Sequence, residues 1–196
     1  MSAIAEEDRV RANVYALLSR LFSQGPDSQL LTSIHASARA VQGDGAFADA
    51  WHALGDICPH TDASAAGQDY LDLFVGTGMA RVTPYLSHYM VRSGHEKVLV
   101  ELRDELVRLG LARVASAAEP EDHIAALLDV MRHLALWEVT DSASHKQRSF
   151  YESYVEPGYA RFCAAVEQSA QGRFYACAAR LLRAFLDLER ETFQTG

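Results

Sequence analysis

Long apolar runs are missing from this chain. The longest stretch without Asp, Glu, Lys or Arg runs only from Ser28 to Ala38 and includes several polar residues. A helix that crosses a bilayer needs about 20 apolar residues. Cysteine is scarce: Cys58, Cys163 and Cys177 are an odd number with no CxxC spacing. A disulfide framework and a paired-cysteine zinc site both lack support, and reduced thiols in the cytoplasm are expected. Bases are outnumbered, with 18 Lys and Arg against 26 Asp and Glu, a net charge of −8. Residues 1–115 and 116–196 carry −4 each, so neither half is a basic module. That argues against nucleic acid, whose binding draws its affinity from phosphate neutralisation. Met1 to Asp8 is acidic and lacks the basic and apolar regions of a secretory signal. Proline is rare, at 5, so most of the chain is open to uninterrupted helix.

What is present is apolar material with helical spacing. The 196 residues are 49% hydrophobic, enough for one soluble domain with a core that needs no covalent staples. Val10, Val14, Leu17, Leu18, Leu21 and Phe22 trace one face of a first helix. Gly25-Pro26-Asp27 stops it, and Asp27 or Ser28 caps a second helix to about Val41. A third is expected over Ala46 to Ile57, and a fourth from Asp62 or Ser64 to Phe74. Gly76 to Gly94 has no sustained period and reads as a structured loop with at most a short helix at Leu86 to Arg92. Val98, Leu99, Leu102, Leu106 and Leu109 mark the next helix. Ala112 to Ala118 is small and nearly uncharged, a hinge or linker.

A further helix is expected from Glu119-Pro120-Glu121-Asp122-His123, because proline and acids suit a first helical turn. It carries Ile124, Leu127, Leu128, Met131 and Leu134 and runs to about Val139. Asp141 or Ser142 caps another. Glu156-Pro157-Gly158 is expected to break two more apart, and the last carries Phe174, Ala178, Leu181, Leu182, Phe185 and Leu188. All five prolines thus fall at expected breaks, and no period-2 strand is found. The fold class is all-α: one domain over residues 1–196, with about eight to ten helices. Its sub-lobes are expected at about 1–111 and 119–196, joined by a hinge at about 112–118.

Most catalytic patterns are absent. A di-iron bundle needs Glu-x-x-His steps, and no Glu here has His three residues later. His95-Glu96 is not followed by a second His at HExxH spacing. Scattered histidines read as solvated helix-surface residues. Gly76-Thr77-Gly78 has neither a preceding strand nor a following Gly-Lys-Ser/Thr, and reads as a tight turn. Cys163 and Cys177 lie on apolar helices as small core residues. No catalytic residue, metal ligand or cofactor is assigned.

Two constellations remain. Thr83-Pro84-Tyr85-Leu86-Ser87-His88-Tyr89-Met90 combines apolar bodies with polar tips. It can cover a core or line a groove. Glu119 to His123 can cap a helix, and Asp122 beside His123 can form a polar, pH-sensitive pair.

These motifs, in this order, resemble the TorD/DmsD/NarJ family of cytoplasmic chaperones for molybdenum-containing oxidoreductases. Tyr70-x-x-Leu73-Phe74-x-Gly76 is similar to its helix-end motif, and Pro84-Tyr85-x-Ser87-x-Tyr89 to its loop motif. Glu119-Pro120-x-Asp122-His123 resembles its most diagnostic signature, and Phe174-Tyr175 with Phe185-Leu186 fits its terminal helix. The resemblance spans about residues 8–192. Leu86 departs from it, standing where many relatives have Glu, and so does Tyr154 to Tyr159, where many have His-Leu-x-Pro-Trp.

The resemblance implies a non-enzymatic chaperone that binds a molybdoenzyme catalytic-subunit precursor through its twin-arginine signal peptide until the molybdopterin cofactor is inserted. The residues it implicates in client binding are Tyr70, Phe74, Gly76, Pro84, Tyr85, Ser87, Tyr89, Glu119, Pro120, Asp122 and His123. It implies a cytoplasmic protein without stable membrane insertion, either a monomer or a dimer formed by helix exchange at the hinge. An apolar wall and a few acids would suit a peptide with an apolar run and two arginines. The alternatives are a helical adaptor for folded partners and a carboxylate/histidine metalloprotein around His123.

Overall fold

The computed structural model describes residues 5–76, 80–111, 120–137, 141–170 and 174–195. Among these no strand occurs, and helices follow one another as the apolar spacing dictates. They are α1 (Glu6–Ser23), α2 (Ser28–Ala38), α3 (Ala46–Ile57), α4 (Ala63–Tyr70), α5 (Ser87–Met90), α6 (His95–Arg108), α7 (Ile124–Ala135), α8 (Asp141–Phe150), α9 (Glu156–Ala170) and α10 (Phe174–Thr195). The all-α expectation is borne out.

The chain divides into two compact units, each discontinuous in sequence. One holds residues 1–22 and 84–159, the other 23–83 and 160–196. The boundaries fall at 22/23, 83/84 and 159/160, not at the expected hinge, and residues 112–118 lie outside the described ones.

In the first unit the core comes from Tyr15, Leu18, Leu21, Ile124, Leu127, Leu128, Met131, Phe150, Tyr151 and Val155. Val10 is exposed, although it shares the expected face of α1; that face centres instead on Val14, Tyr15, Leu18 and Phe22. Polar clamps fix the helices. Ser19 Oγ donates to the Ala125 carbonyl at 3.0 Å, joining α1 to α7. Gln147, buried on α8, accepts from Arg11 at 3.2 Å and donates to the Met131 carbonyl at 3.4 Å.

The expected break at Pro157 does not occur. Residues 141–170 are helical throughout, with a π-helical turn at Tyr151–Val155 between α8 and α9. The wide turn is closed by the Glu156 N–H donating to the Tyr151 carbonyl. Pro157 then occupies the first turn of α9, where its missing N–H costs nothing. A π turn lets a helix change register around a proline without ending.

In the second unit α3 packs against α2 and α10. Gly55 lies so close to Ala38 that any side chain would strike the Ala38 methyl, which explains a glycine inside α3. Asp27 and Asp62 cap α2 and α4, accepting from the Leu30 and Ala65 N–H groups at 2.7 and 2.8 Å. A π-helical turn, Leu71–Val75, prolongs α4. The Gly76 N–H closes it on the Leu71 carbonyl at 2.7 Å, and Gly76 ends it at φ 58°, a backbone that favours glycine.

Candidate functional site

The two constellations in the first unit are joined. Leu86 N–H donates to the Asp122 carbonyl at 2.9 Å, and Ile124 N–H donates to the Pro84 carbonyl at 2.9 Å. Tyr85 and His123 thereby face one another in an isolated antiparallel bridge, their rings edge to face with centroids 5.7 Å apart. A rigid two-stranded stitch thus assembles Pro84, Tyr85, Ser87, Asp122 and His123. Tyr85 is half-buried, whereas Pro84 and Ser87 are buried.

The segment before α7 differs from expectation. Pro120 does not open the helix. Residues 120–122 form a turn, His123 N–H donates to the Pro120 carbonyl at 3.2 Å, and α7 begins at Ile124. The cap is His123, not an acid: its Nδ1 accepts from the Ala125 N–H at 3.2 Å. That bond puts the neutral ring's proton on Nε2. His123 is 5% exposed and so is no surface histidine. His95 also has a partner, donating from Nδ1 to the Ser87 carbonyl at 3.1 Å, and its ring stacks on His88 at 4.3 Å.

Asp122 is the unusual group. Only 3% of it is exposed, and its Oδ1 is buried without a hydrogen-bond partner. A buried carboxylate oxygen left unpaired costs free energy, so it needs an explanation. Beside it Arg103, from α6, bonds the Glu121 carboxylate at 3.1 Å. The Arg103 guanidinium is half exposed while the Glu121 side chain is 10% exposed. Glu121, with a smaller contribution from Asp122, holds Arg103 above its ordinary pKa. The site therefore contains two carboxylates, one matched by a guanidinium of the chain itself and one with an unused acceptor. Arg103 was not found from the sequence, because nothing in α6 sets it apart from the other exposed charges.

Other expected site residues are elsewhere. Glu119 lies outside the described residues. Tyr89 is half-buried and joins α5 through its N–H to the Leu86 carbonyl at 2.8 Å. Tyr70 and Phe74 belong to the second unit and do not form an open wall. Both are buried in an aromatic cluster with Tyr175 and Phe162, Phe74 meeting Tyr175 edge to face at 5.3 Å. Tyr70 Oη donates to the Ser23 carbonyl at 2.8 Å. Packing accounts for both rings, while Leu71, Asp72 and Val75 of that turn are exposed.

Among the described residues no group of three or more His, Cys, Asp or Glu could hold a metal ion. Cys58, Cys163 and Cys177 are free and buried, the last two as core residues as expected.

Residues 42–164 match the model of the family described as nitrate reductase delta subunit. The chain belongs to that family. The resemblance carried by its motifs is thus borne out by an independent comparison. Among its relatives, the chaperone protein TorD of Shewanella loihica is 28% identical over 204 residues, covering 94% of this chain and 93% of the relative. That of Shewanella pealeana is 27% identical, covering 96% and 91%, and that of Aliivibrio fischeri is 29% identical, covering 62% and 60%. In fold the chain is similar to a protein of Archaeoglobus fulgidus assigned as a redox enzyme maturation protein. The TM-score is 0.57 at 19% identity, with 92% and 93% of the chains covered. No described helix is long and apolar enough to cross a membrane.

Proposed function

We propose that this chain is a cytoplasmic, non-enzymatic chaperone that holds the precursor of a molybdopterin-containing oxidoreductase. It grips the arginine-bearing signal peptide until the cofactor has been inserted. Family membership and relatives named as chaperones support the general role. The observation that carries the peptide reading is the Asp122 carboxylate, buried with Oδ1 unpartnered, on a backbone that the Leu86 N–H holds by its bond to the Asp122 carbonyl. A guanidinium offers five donors in a planar fork and satisfies such an acceptor better than any neutral group. Tyr85 and His123 pair edge to face in the same bridge, and the net charge of −8 favours encounter with a basic segment.

Calorimetric titration with a peptide carrying two arginines before an apolar run tests this reading. Asp122→Asn keeps the shape and removes the charge. It should weaken binding at least tenfold, with the thermal midpoint unchanged or raised. Equal affinity for both proteins would remove Asp122 from the client site. Gel filtration of the complex reads whether one copy or an exchanged dimer binds.

A further inference from the structure

The second unit contains an open cavity of about 310 Å³ between α2, the 3-10 turn Cys58–His60 and the start of α4. Its size is at the lower end for small-molecule sites. Its polar lining has a consistent bias. Thr32 Oγ1 donates to the Ser28 carbonyl at 2.9 Å, and Thr61 Oγ1 donates to the Ile57 carbonyl at 2.8 Å. Cys58 Sγ donates to the Leu54 carbonyl at 3.1 Å. His35 Nδ1 lies 2.9 Å from the Gly55 carbonyl, which can only accept, so Nδ1 carries the proton and the neutral ring keeps Nε2 as an acceptor. Asp62 has no donor at all when ionised.

Each of these side chains has therefore turned its donor back into the protein. What remains for an occupant is acceptors: two hydroxyl oxygens, an imidazole nitrogen and a carboxylate. Among the lining side chains only the hydroxyl of Ser28, exposed at the rim, has its donor uncommitted.

The helix ends do not reverse this bias. The N-termini of α2 and α4 reach the cavity, and a bare N-terminus favours an anion. Each already holds a carboxylate, Asp27 and Asp62, as its cap. Two full negative charges outweigh two partial positive ones. An anion would meet side-chain lone pairs at Thr32, His35, Thr61 and Asp62, whereas a donor-rich cation would be met there by acceptors.

We propose that this cavity binds a small organic cation, an alkylammonium or guanidinium group, with Asp62 as its counter-ion. The site lies in the unit that does not hold Asp122, and the inference does not rest on the client-peptide reading.

The test is a titration of the full chain, followed by its amide NMR spectrum, with agmatine. Butyrate serves as the anionic control of similar size. Saturable shifts centred on Thr32, His35 and Thr61, absent with butyrate, are expected. N-acetyl-arginine amide forms a second arm: if it shifts the same residues, peptide-borne arginine is an occupant, and if agmatine alone does, the occupant is a free amine. Asp62→Asn should weaken agmatine at least tenfold and leave the fold intact, because Asn caps a helix as well as Asp. The proposal is overturned if agmatine gives no saturable shift at these residues up to about 10 mM, in the range where affinities correspond to only a few kcal/mol. Equal binding of butyrate, or unchanged affinity in Asp62→Asn, overturns it as well.

Discussion

The backbone N–H of Leu86 donates to the carbonyl of Asp122 at 2.9 Å, and this bond holds together two motifs that are 36 residues apart in sequence. It fixes the backbone of Asp122, while the adjacent His123 holds α7 by its cap. The two neighbours thus have separable duties. His123→Ala should lose about 1 kcal/mol of stability, the worth of a helix cap. His123→Asn should regain most of it, because Asn is a strong cap. Thermal unfolding of the two variants checks this, and equal destabilisation by both would mean that the cap is not what His123 contributes.

Arg103 occupies Glu121 from outside, half exposed, while the carboxylate behind it is nearly covered. On the client reading, an incoming arginine competes with this resident one. Arg103→Gln should therefore raise the affinity of an arginine-bearing peptide severalfold. The guanidinium end of the pair is half exposed and contributes little, but the loss leaves the nearly covered Glu121 carboxylate unmatched, so the unfolding midpoint should fall slightly while peptide affinity rises. Unchanged or weaker peptide binding would show that Arg103 does not compete with the client.

Most of the fold was legible because helix boundaries are local. Asp27 and Asp62 sit where their carboxylates can accept from the third N–H onward, and both cap as expected. Pro157 was misleading for a physical reason. Sequence records its missing N–H, but not the π turn upstream that makes the missing donor harmless. Pro120 misled in the opposite sense, since it precedes a turn and the helix waits for His123.

The site was legible as two motifs but not as one object. The Tyr85–His123 bridge is a long-range pairing with no local sequence signal. Tyr70 and Phe74 stand out in the sequence as a motif, but their aromatic neighbours Phe162 and Tyr175 lie about 90 to 100 residues away, and only the fold shows the rings buried together. The acceptor-lined cavity had no signature at all. Its bias arises from where Thr32, Thr61, Cys58 and His35 send their protons.

Gly158 links α9 to the bridge segment. A Cβ there would stand 3.0 Å from Leu86 Cγ, 3.1 Å from the Leu86 carbonyl oxygen and 3.2 Å from Met90 Cγ. Alanine is worth up to about 1 kcal/mol more than glycine inside a helix. Overpacking costs about 1–3 kcal/mol, and the Leu86 carbonyl cannot yield easily, because it accepts from Tyr89 and Met90. The clash should win: Gly158→Ala should lower stability by about 1 kcal/mol and weaken peptide binding as Leu86 is displaced. Denaturant unfolding checks the first part, and a more stable variant would show that α5 can move away freely.

Burial pushes the Cys58 thiol up to about 11 from an ordinary value of 9.0, with a smaller contribution from Cys177. Cys163 and Cys177 are raised for the same reason. Well below pH 9 these thiols are neutral in both the folded and unfolded chains, and their contribution to stability is complete. Between about pH 9 and pH 11 the Cys58 thiol of the unfolded chain ionises while the folded one stays protonated. The unfolded state then binds fewer protons, so stability falls as pH rises through this window. Lysine and tyrosine also titrate there, so the comparison must be with a variant. The loss of stability between pH 8 and pH 11, read from denaturant midpoints, should be smaller in Cys58→Ala than in the native chain. The same protonation predicts slow alkylation of the folded protein at pH 8, because the thiolate is the reacting form. Rapid labelling of Cys58 by iodoacetamide without denaturant, located by peptide mass spectrometry, would contradict a buried neutral thiol at that position.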